Sequence, residues 1–303
     1  MSDVHKFTIT SKNVYSLDLT IHSWIYRDIQ PTPEKTTATS FNRIITVENL
    51  RIPIHVEQIN ERQLDVYYPV EYKSYQNKIQ EKVEWILGTN YDMTKVYESI
   101  RDDSKISHIY NKIIGAHPYT FDTFFEALIR GIIQQQISYR FANVVTYNLV
   151  VGLGPTEKMN GITIHGFPNV HELFNADEEV LKSFKLGYKV NYVKSIASEI
   201  INGNLDLSYI SSLSTEDAIK YLVKFKGIGK WTAEIALMSG LRRFDTFPYG
   251  DLGIRRTIGK IYFNGKTATR SEVIQISQRW HEKISIRNLV LYLLVSADVL
   301  GFL

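Results

Sequence analysis

The residues best suited to chemistry are a Gly-Ile-Gly turn, Gly227 to Gly229, and a carboxylate further along the chain, Asp251. The glycines lie between two apolar patterns of helical spacing, and glycine permits the positive φ angles of a tight turn. Backbone amides left free where one helix ends and the next begins are a ready site for a phosphate. The turn therefore predicts a helix-hairpin-helix over residues 215–241, although a plain corner between two helices has the same pattern.

Basic residues are concentrated around this turn. Between residues 226 and 260 there are seven Lys or Arg against three Asp or Glu, whereas the whole chain has a net charge of only +3. Lys226 and Lys230 flank the glycines directly. Clustered cations beside backbone amides suit the sequence-independent part of DNA binding, which rests on phosphate contacts. A charged face that only meets solvent would account for the cluster equally well.

Asp251 precedes a helical pattern and follows a Pro-Tyr-Gly segment. Aspartate is a favoured N-cap at such a position, and capping alone would explain it. The aromatic residues Trp231, Phe247 and Tyr249 occur in the same stretch. A carboxylate held beside them and beside a basic hairpin could instead face a reacting sugar.

Several better-known sites are excluded by position. A Walker loop would need glycine at Lys224 and Ser or Thr at Trp231, and no third glycine completes a dinucleotide fingerprint. A His-Glu-x-x-His site starting at His281 would need a histidine at Ser285. The chain has no cysteine, which removes disulfides, zinc-thiolate sites and cysteine-ligated iron–sulfur clusters. We therefore expect no metal site.

The composition is that of an ordinary soluble protein, with 303 residues, 44% of them hydrophobic and 22% charged. Mildly basic overall charge permits nucleic acid as a partner without requiring it. No apolar run is long enough to span a bilayer, and the amino terminus lacks the pattern of a signal peptide. We expect an intracellular protein with no membrane partner.

The run FKGIGKWTAEIAL, followed by DTFPYGDLGIRR, closely resembles the signature of base-excision DNA glycosylases of the helix-hairpin-helix superfamily, particularly 3-methyladenine DNA glycosylase II. The resemblance covers roughly residues 90–300. It implies that damaged double-stranded DNA is the partner and that Asp251 is the catalytic carboxylate. Such a group stabilises positive charge on the sugar and orients the attacking water.

The resemblance also implies which side chains contact the base and the DNA. Trp231 would stack on an electron-poor alkylated base, and the segment RGIIQQQIS resembles the family's segment that wedges into the duplex, with Gln136 at the position of the wedge. The predicted base pocket comprises Trp231, Phe247, Tyr249, Ile235 and Leu252, the last two replacing aromatic residues of the family. The predicted DNA contacts are Gly227, Gly229, Lys226, Lys230, Thr232, Gln136, Ser138 and Lys189.

Position 231 separates two kinds of glycosylase within the resembling superfamily. Enzymes that also nick the strand have a lysine there, which forms a Schiff base with the sugar. Because Trp231 occupies the position, we predict a monofunctional hydrolase of the 3-methyladenine glycosylase II type with no lyase activity. The alternatives are an 8-oxoguanine-type DNA glycosylase and a non-catalytic module that binds damaged DNA. We expect a monomer that requires no cofactor, with room for a monovalent cation at the hairpin backbone.

The elements that must position these residues define an α+β fold. Alternating apolar residues predict a small antiparallel sheet domain over residues 1–85, with strands at 17–21, 43–47, 52–56 and 64–68. Helical spacing predicts a body of two helical subdomains over 86–303, packed directly on the sheet. Ser214 is expected to cap the first hairpin helix. Other predicted helices span 70–87, 92–114, 121–138, 271–284 and 288–299.

Overall fold

The computed structural model describes residues 4–303, and its amino-terminal part is a five-stranded antiparallel sheet. The strands are β1 (Val4–Thr10), β2 (Lys35–Thr36), β3 (Ser40–Val47), β4 (Leu50–Gln58) and β5 (Gln63–Pro69). They lie in the order β1-β5-β4-β3-β2 with every pair antiparallel. The strands predicted at 43–47, 52–56 and 64–68 are confirmed.

The strand predicted at 17–21 is wrong, because this segment is helix α1 (Leu17–His22). Ser16 caps the helix by accepting a hydrogen bond from the backbone amide of Leu19. Leu17, Thr20 and Ile21 are buried, and this i, i+3, i+4 spacing is that of one helix face. A six-residue segment with apolar residues at 17, 19 and 21 fits the period of a helix or that of a strand, so tertiary packing determines which of the two forms.

Helices make up most of the remaining chain. They are α2 (Gln76–Leu87), α3 (Thr94–Asp102), α4 (Tyr110–Ile113), α5 (Phe124–Gln134), α6 (Tyr139–Leu153), α7 (Val170–Asn175), α8 (Glu178–Ser183), α9 (Lys189–Ile201), α10 (Leu207–Ser212), α11 (Thr215–Leu222), α12 (Lys230–Leu241), α13 (Leu252–Tyr262), α14 (Arg270–Ser277) and α15 (Ile284–Val299). Short 3₁₀ helices span Val70–Tyr75 and Ser107–Ile109. Within residues 4–303, no helix has the length and apolar character needed to cross a membrane.

The structure differs from the predicted elements at several places. Helix α5 begins after the Thr123 cap and ends at Gln134, not at residue 138, because Gln135 is extended and Gln136 has φ 58°. The helix predicted from 271 ends at Ser277, and α15 starts earlier than predicted. A small hairpin of β6 (Thr156–Met159) and β7 (Ile162–His165) was not predicted, although its Asn-Gly turn is a strong hairpin signal.

The sheet and part of the helical body share a hydrophobic cluster. Buried residues of β3, β4 and β5 belong to the same cluster as those of α5 and α12. A second cluster joins α3, α13, α14 and α15, and α15 is buried along most of its length. This confirms the predicted α+β architecture of a sheet packed directly on a helical body. The domain boundary at residues 85 and 86 and the two helical subdomains stay predictions.

A buried ionic cluster fixes α5 against the sheet. Arg43 of β3 places Nη1 3.0 Å from Glu34 Oε1 and Nη2 2.7 Å from Glu126 Oε2. Arg130 Nη1 lies 3.1 Å from Glu126 Oε1, and Tyr119 donates its hydroxyl to Glu34 Oε1 at 2.6 Å. Because breaking such a pair leaves a buried charge, at a cost of about 3–5 kcal/mol, the cluster holds α5 firmly. This helix ends at the candidate site.

Candidate active site

The hairpin predicted from the glycines is formed by α11, the turn at 223–229 and α12. Ser214 caps α11 as predicted, with its Oγ accepting from the amide of Asp217 at 3.1 Å. Gly227 has φ 94°, and a Cβ there would lie 2.7 Å from Cβ of Tyr192, so only glycine fits. Gly229 is the N-cap of α12, and no side chain caps this helix. The amides of its first turn are therefore free to donate hydrogen bonds to a phosphate.

The charged residues around the turn have the exposure that DNA contact needs. Lys226, Gly229 and Lys230 are exposed. Lys230 Nζ lies 3.9 Å from Glu234 Oε1, a loose pair that a phosphate can replace. Thr232 is only 2% exposed and its hydroxyl accepts a hydrogen bond from Gln135, so a contact from this residue is limited to its backbone amide.

The turn between α5 and α6 lies beside the hairpin. Gln136 is exposed at this turn and adopts φ 58°, in the left-handed region. Ser138 caps α6, its Oγ accepting from the amide of Phe141 at 3.2 Å. Gln135 Nε2 donates to the carbonyl of Gly227 at 2.8 Å. Sequence reasoning missed Gln135, and the signal available was its place in the triple glutamine. The wedge role of Gln136 stays a prediction.

The prediction that Lys189 contacts phosphates through its side chain is wrong. Lys189 is 4% exposed, and its Nζ donates to the carbonyl of Ile133 at 2.5 Å. This carbonyl belongs to the last turn of α5, where the helix dipole favours a cation. Burial lowers the pKa of the Lys189 ammonium. The residue therefore fastens α9 to the end of α5.

The start of α9 lies close to the hairpin. Gly187 has φ 57°, Tyr188 is the N-cap, and no side chain caps the helix. Tyr188 is 54% exposed and its ring meets that of Tyr192 edge to face. Because Tyr192 also packs against Gly227, the uncapped starts of α9 and α12 are neighbours. The amides of Lys189, Val190 and Asn191 already donate to the carbonyls of Leu186, Gly187 and Tyr188, so the free amides at this place are those of the first turn of α12.

The two carboxylate oxygens of Asp251 have different hydrogen-bond partners. Oδ1 accepts from the amides of Gly253 at 2.8 Å and Ile254 at 3.2 Å, which confirms the predicted N-cap of α13. Oδ2 accepts from Trp231 Nε1 at 2.9 Å. The carboxylate is partly exposed. It is thus fixed in position by three donors while remaining open to a substrate.

The other residues of the predicted base pocket differ in their exposure. Tyr249 is partly buried, donates its hydroxyl to Asn288 Oδ1 at 2.6 Å, and packs on Phe247 with ring centroids 5.8 Å apart. Phe247 is 3% exposed, so it supports Tyr249 from behind. Ile235 is partly buried, whereas Leu252 is 48% exposed at the start of α13. The structure therefore joins Trp231 to Asp251 and Phe247 to Tyr249, with Leu252 at the rim.

A second carboxylate near Trp231, that of Glu234 on α12, was missed by the sequence reasoning. Glu234 follows Trp231 by three positions and so lies one turn further along the same face. Its side chain is 13% exposed. Burial raises the pKa of the Glu234 carboxyl, against the opposing charges of Lys230 and Arg270. The i, i+3 spacing from Trp231 was the signal that could have found it. Among residues 4–303, no group of three or more His, Asp or Glu side chains is placed to hold a metal.

Comparison with known proteins agrees with this geometry. Residues 129–283 match the family described as HhH-GPD superfamily base excision DNA repair protein. The match covers half of the chain, and the chain belongs to this superfamily. The resemblance inferred from the sequence is thereby confirmed.

Three relatives illustrate the similarity. The DNA-3-methyladenine glycosylase of Bacillus subtilis is 28% identical over 246 residues, which cover 79% of this chain and 81% of that protein. The 3-methyladenine DNA-glycosylase from Archaeoglobus fulgidus has a solved structure with a TM-score of 0.84 and 26% identity, covering 95% of this chain and 97% of that one. The Schizosaccharomyces pombe 3-methyladenine DNA glycosylase, solved with abasic DNA, is 26% identical with a TM-score of 0.54, covering 66% and 95%.

Proposed function

We propose that this protein is a monofunctional DNA glycosylase that removes alkylated purines from double-stranded DNA and leaves an abasic site. The observation that carries the proposal is the hydrogen bond from Trp231 Nε1 to Asp251 Oδ2 at 2.9 Å. It places an aromatic ring and a carboxylate side by side at the base of a DNA-binding hairpin. The names of the relatives from B. subtilis and A. fulgidus support 3-methyladenine among the substrates.

DNA binding would begin at the free amides of the first turn of α12, aided by Lys226 and Lys230. Extracting a nucleotide from the stack costs a few kcal/mol, and less for a damaged base. Gln136, exposed at the tip beside the hairpin, would enter the gap. The extruded base would then stack on Trp231, whose π face attracts a cationic alkylated ring.

The chemistry requires little beyond the carboxylate. As the bond between the sugar and the base breaks, the base leaves with the bonding electrons and loses its positive charge. The sugar becomes an oxocarbenium-like cation, which the Asp251 carboxylate stabilises. Water then adds to the anomeric carbon, and its proton passes to Asp251 or to solvent. No general acid is needed, because the cationic base is already a good leaving group.

The same residues argue against strand cleavage. A lyase needs an amine that attacks the sugar, and Trp231 has none. The neighbouring Lys230 is exposed on the side of Glu234. We therefore expect borohydride to trap no covalent adduct between the protein and damaged DNA.

Release of bases from alkylated DNA tests the proposal. Purified protein should release methylated purines and leave heat-labile abasic sites without nicking the strand. An 8-oxoguanine duplex assayed in parallel should be cleaved much more slowly. Excision of 8-oxoguanine with a trapped adduct would favour the 8-oxoguanine-type alternative, whereas tight binding of damaged DNA without release would favour a non-catalytic module.

The remaining expectations concern the state of the protein. We expect it to act inside the cell as a monomer that requires no cofactor, so release should be unaffected by a divalent-metal chelator. Sedimentation of the protein with and without DNA gives its oligomeric state. Replacing potassium by a large organic cation tests whether a monovalent cation at the hairpin backbone contributes to DNA affinity.

A further inference from the structure

Gln135 connects the end of α5 to the hairpin. Its Nε2 lies 2.8 Å from the carbonyl oxygen of Gly227 and 2.8 Å from Oγ1 of Thr232. The carbonyl can only accept, so the amide must turn its NH₂ group toward it, and the two hydrogens serve the two acceptors. One side chain thus bridges residues 92 and 97 positions away in the sequence.

Both acceptors lie where the hairpin turn leads into α12. Gly227 lies in the turn itself, with φ 94°, and Thr232 lies in the first turn of α12. The free amides of that first turn are the expected phosphate site. Gln135 therefore contacts the phosphate-binding loop from behind without occupying any of its free donors.

The residue that follows, Gln136, depends on this bridge. Helix α5 has already ended at Gln134, Gln135 has extended backbone, and Gln136 is exposed with φ 58°. On the far side, Ile137 packs against the hydrophobic core and Ser138 caps α6. The side-chain hydrogen bonds that join the tip to the hairpin are those of Gln135.

The body of α5 has separate anchors that do not involve the tip. Gly131 approaches α12 so closely that a Cβ there would lie 3.3 Å from Cγ2 of Thr232. Lys189 holds the carbonyl of Ile133. Loss of the Gln135 amide should therefore loosen the tip and leave the helix pair in place.

We propose that Gln135 is a positioning residue that holds Gln136 at a fixed distance from the phosphate-binding hairpin, so that backbone binding and insertion into the emptied stack occur in one rigid unit. The inference rests on the proposed glycosylase function. Ordering a loose tip on binding would cost conformational entropy, and preorganisation removes that cost at the step where a base must leave the stack.

The test uses Gln135→Met, which keeps the length of the side chain and removes both donors. Its matched control is Gln134→Met, one residue earlier and also partly buried. Duplexes carry 2-aminopurine beside a stable abasic analogue, so that fluorescence reports unstacking without any bond cleavage. We expect Gln135→Met to weaken binding to this duplex about 10-fold and to reduce the rise in fluorescence that accompanies binding. Binding to undamaged DNA should stay unchanged within about twofold.

Two further variants make the reasoning specific. Gln136→Ala should show the larger loss, and adding Gln135→Met to it should cost nothing more, because the bridge acts only through the tip. Thr232→Val, which removes one acceptor, should reproduce part of the Gln135→Met loss. Equal behaviour of Gln135→Met and Gln134→Met would overturn the proposal, as would an equal loss on undamaged DNA, which would indicate a general role in the hairpin.

This measurement also separates the inference from the proposed function. If wild-type protein released no methylated base but the Gln135 variants still lost the fluorescence signal, the glycosylase activity would be wrong and the positioning role would stand. If release occurred with wild-type protein and the Gln135 variants matched wild type in both assays, the positioning role would be wrong and the function would stand. Thermal melting of each variant checks that the fold is intact.

Discussion

Replacing Trp231 by Phe isolates the hydrogen bond on which the site depends. Phenylalanine keeps an aromatic face for the extruded base but lacks the Nε1 donor that reaches Asp251 Oδ2 at 2.9 Å. The two backbone donors to Oδ1, from Gly253 and Ile254, remain. The variant therefore keeps the N-cap of α13 and removes only the hydrogen bond to Asp251 Oδ2.

The size of the effect follows from the kind of bond. A hydrogen bond to a charged group contributes about 1.5–3 kcal/mol. If the full contribution is lost from the transition state, the rate falls about 10- to 150-fold, since about 1.4 kcal/mol corresponds to tenfold. Because Trp231 and Asp251 are both partly exposed, we expect the lower end of this range.

Single-turnover release of a methylated purine, with protein in excess over DNA, gives the rate of the chemical step. Trp280→Phe is the matched control, because Trp280 Nε1 makes the same kind of bond to Asp103 Oδ2, at 3.1 Å, away from the site. Trp280→Phe should lower the melting temperature and leave the rate unchanged. A Trp231→Phe rate within twofold of wild type, or an equal loss in both variants, would refute the reasoning.

Three further changes have distinct expected outcomes. Gly227→Ala should destabilise the protein by about 1–3 kcal/mol, because a Cβ at this positive φ would collide with Tyr192. Gly229→Ala has open space around it, so it should cost less than about 1 kcal/mol, from the loss of glycine as the N-cap of α12, and should weaken DNA binding. Glu234→Gln should raise the melting temperature at pH 8 but not at pH 4. Because burial raises the pKa of the Glu234 carboxyl, the stability that Glu234 contributes while protonated is lost as the pH rises through its folded-state pKa. Lys189→Met should leave the salt dependence of DNA affinity unchanged, while Lys230→Met should reduce its slope by about 1.

The hairpin and the cap could be predicted from the sequence because both are set by residues close together in the chain. Gly227 is required by the turn itself, and Asp251 caps the amides two and three positions later. The link between Trp231 and Asp251 was expected only as proximity. Its geometry depends on how α12 and α13 pack.

What the sequence did not predict depends on contacts between distant segments. The family resemblance predicts Lys189 as a phosphate contact, but its side chain is buried and binds a carbonyl at the end of α5. In the triple glutamine, the sequence could not show that Gln135 turns inward and Gln136 outward. That difference is set by the left-handed φ at Gln136 and by acceptors on the hairpin. The segment at 17–22 was too short for its period to separate a helix from a strand.

Asp251 is proposed to be the catalytic carboxylate as well as a helix cap, and Asp251→Asn separates the two roles. Asparagine caps a helix as well as aspartate does, so α13 should stay intact and the melting temperature should change by little. We predict that single-turnover release of methylated purines falls by at least about 100-fold, while the affinity for an abasic-site duplex stays within a few-fold of wild type. Release by Asp251→Asn at a rate close to that of wild type would show that Asp251 is not the catalytic carboxylate.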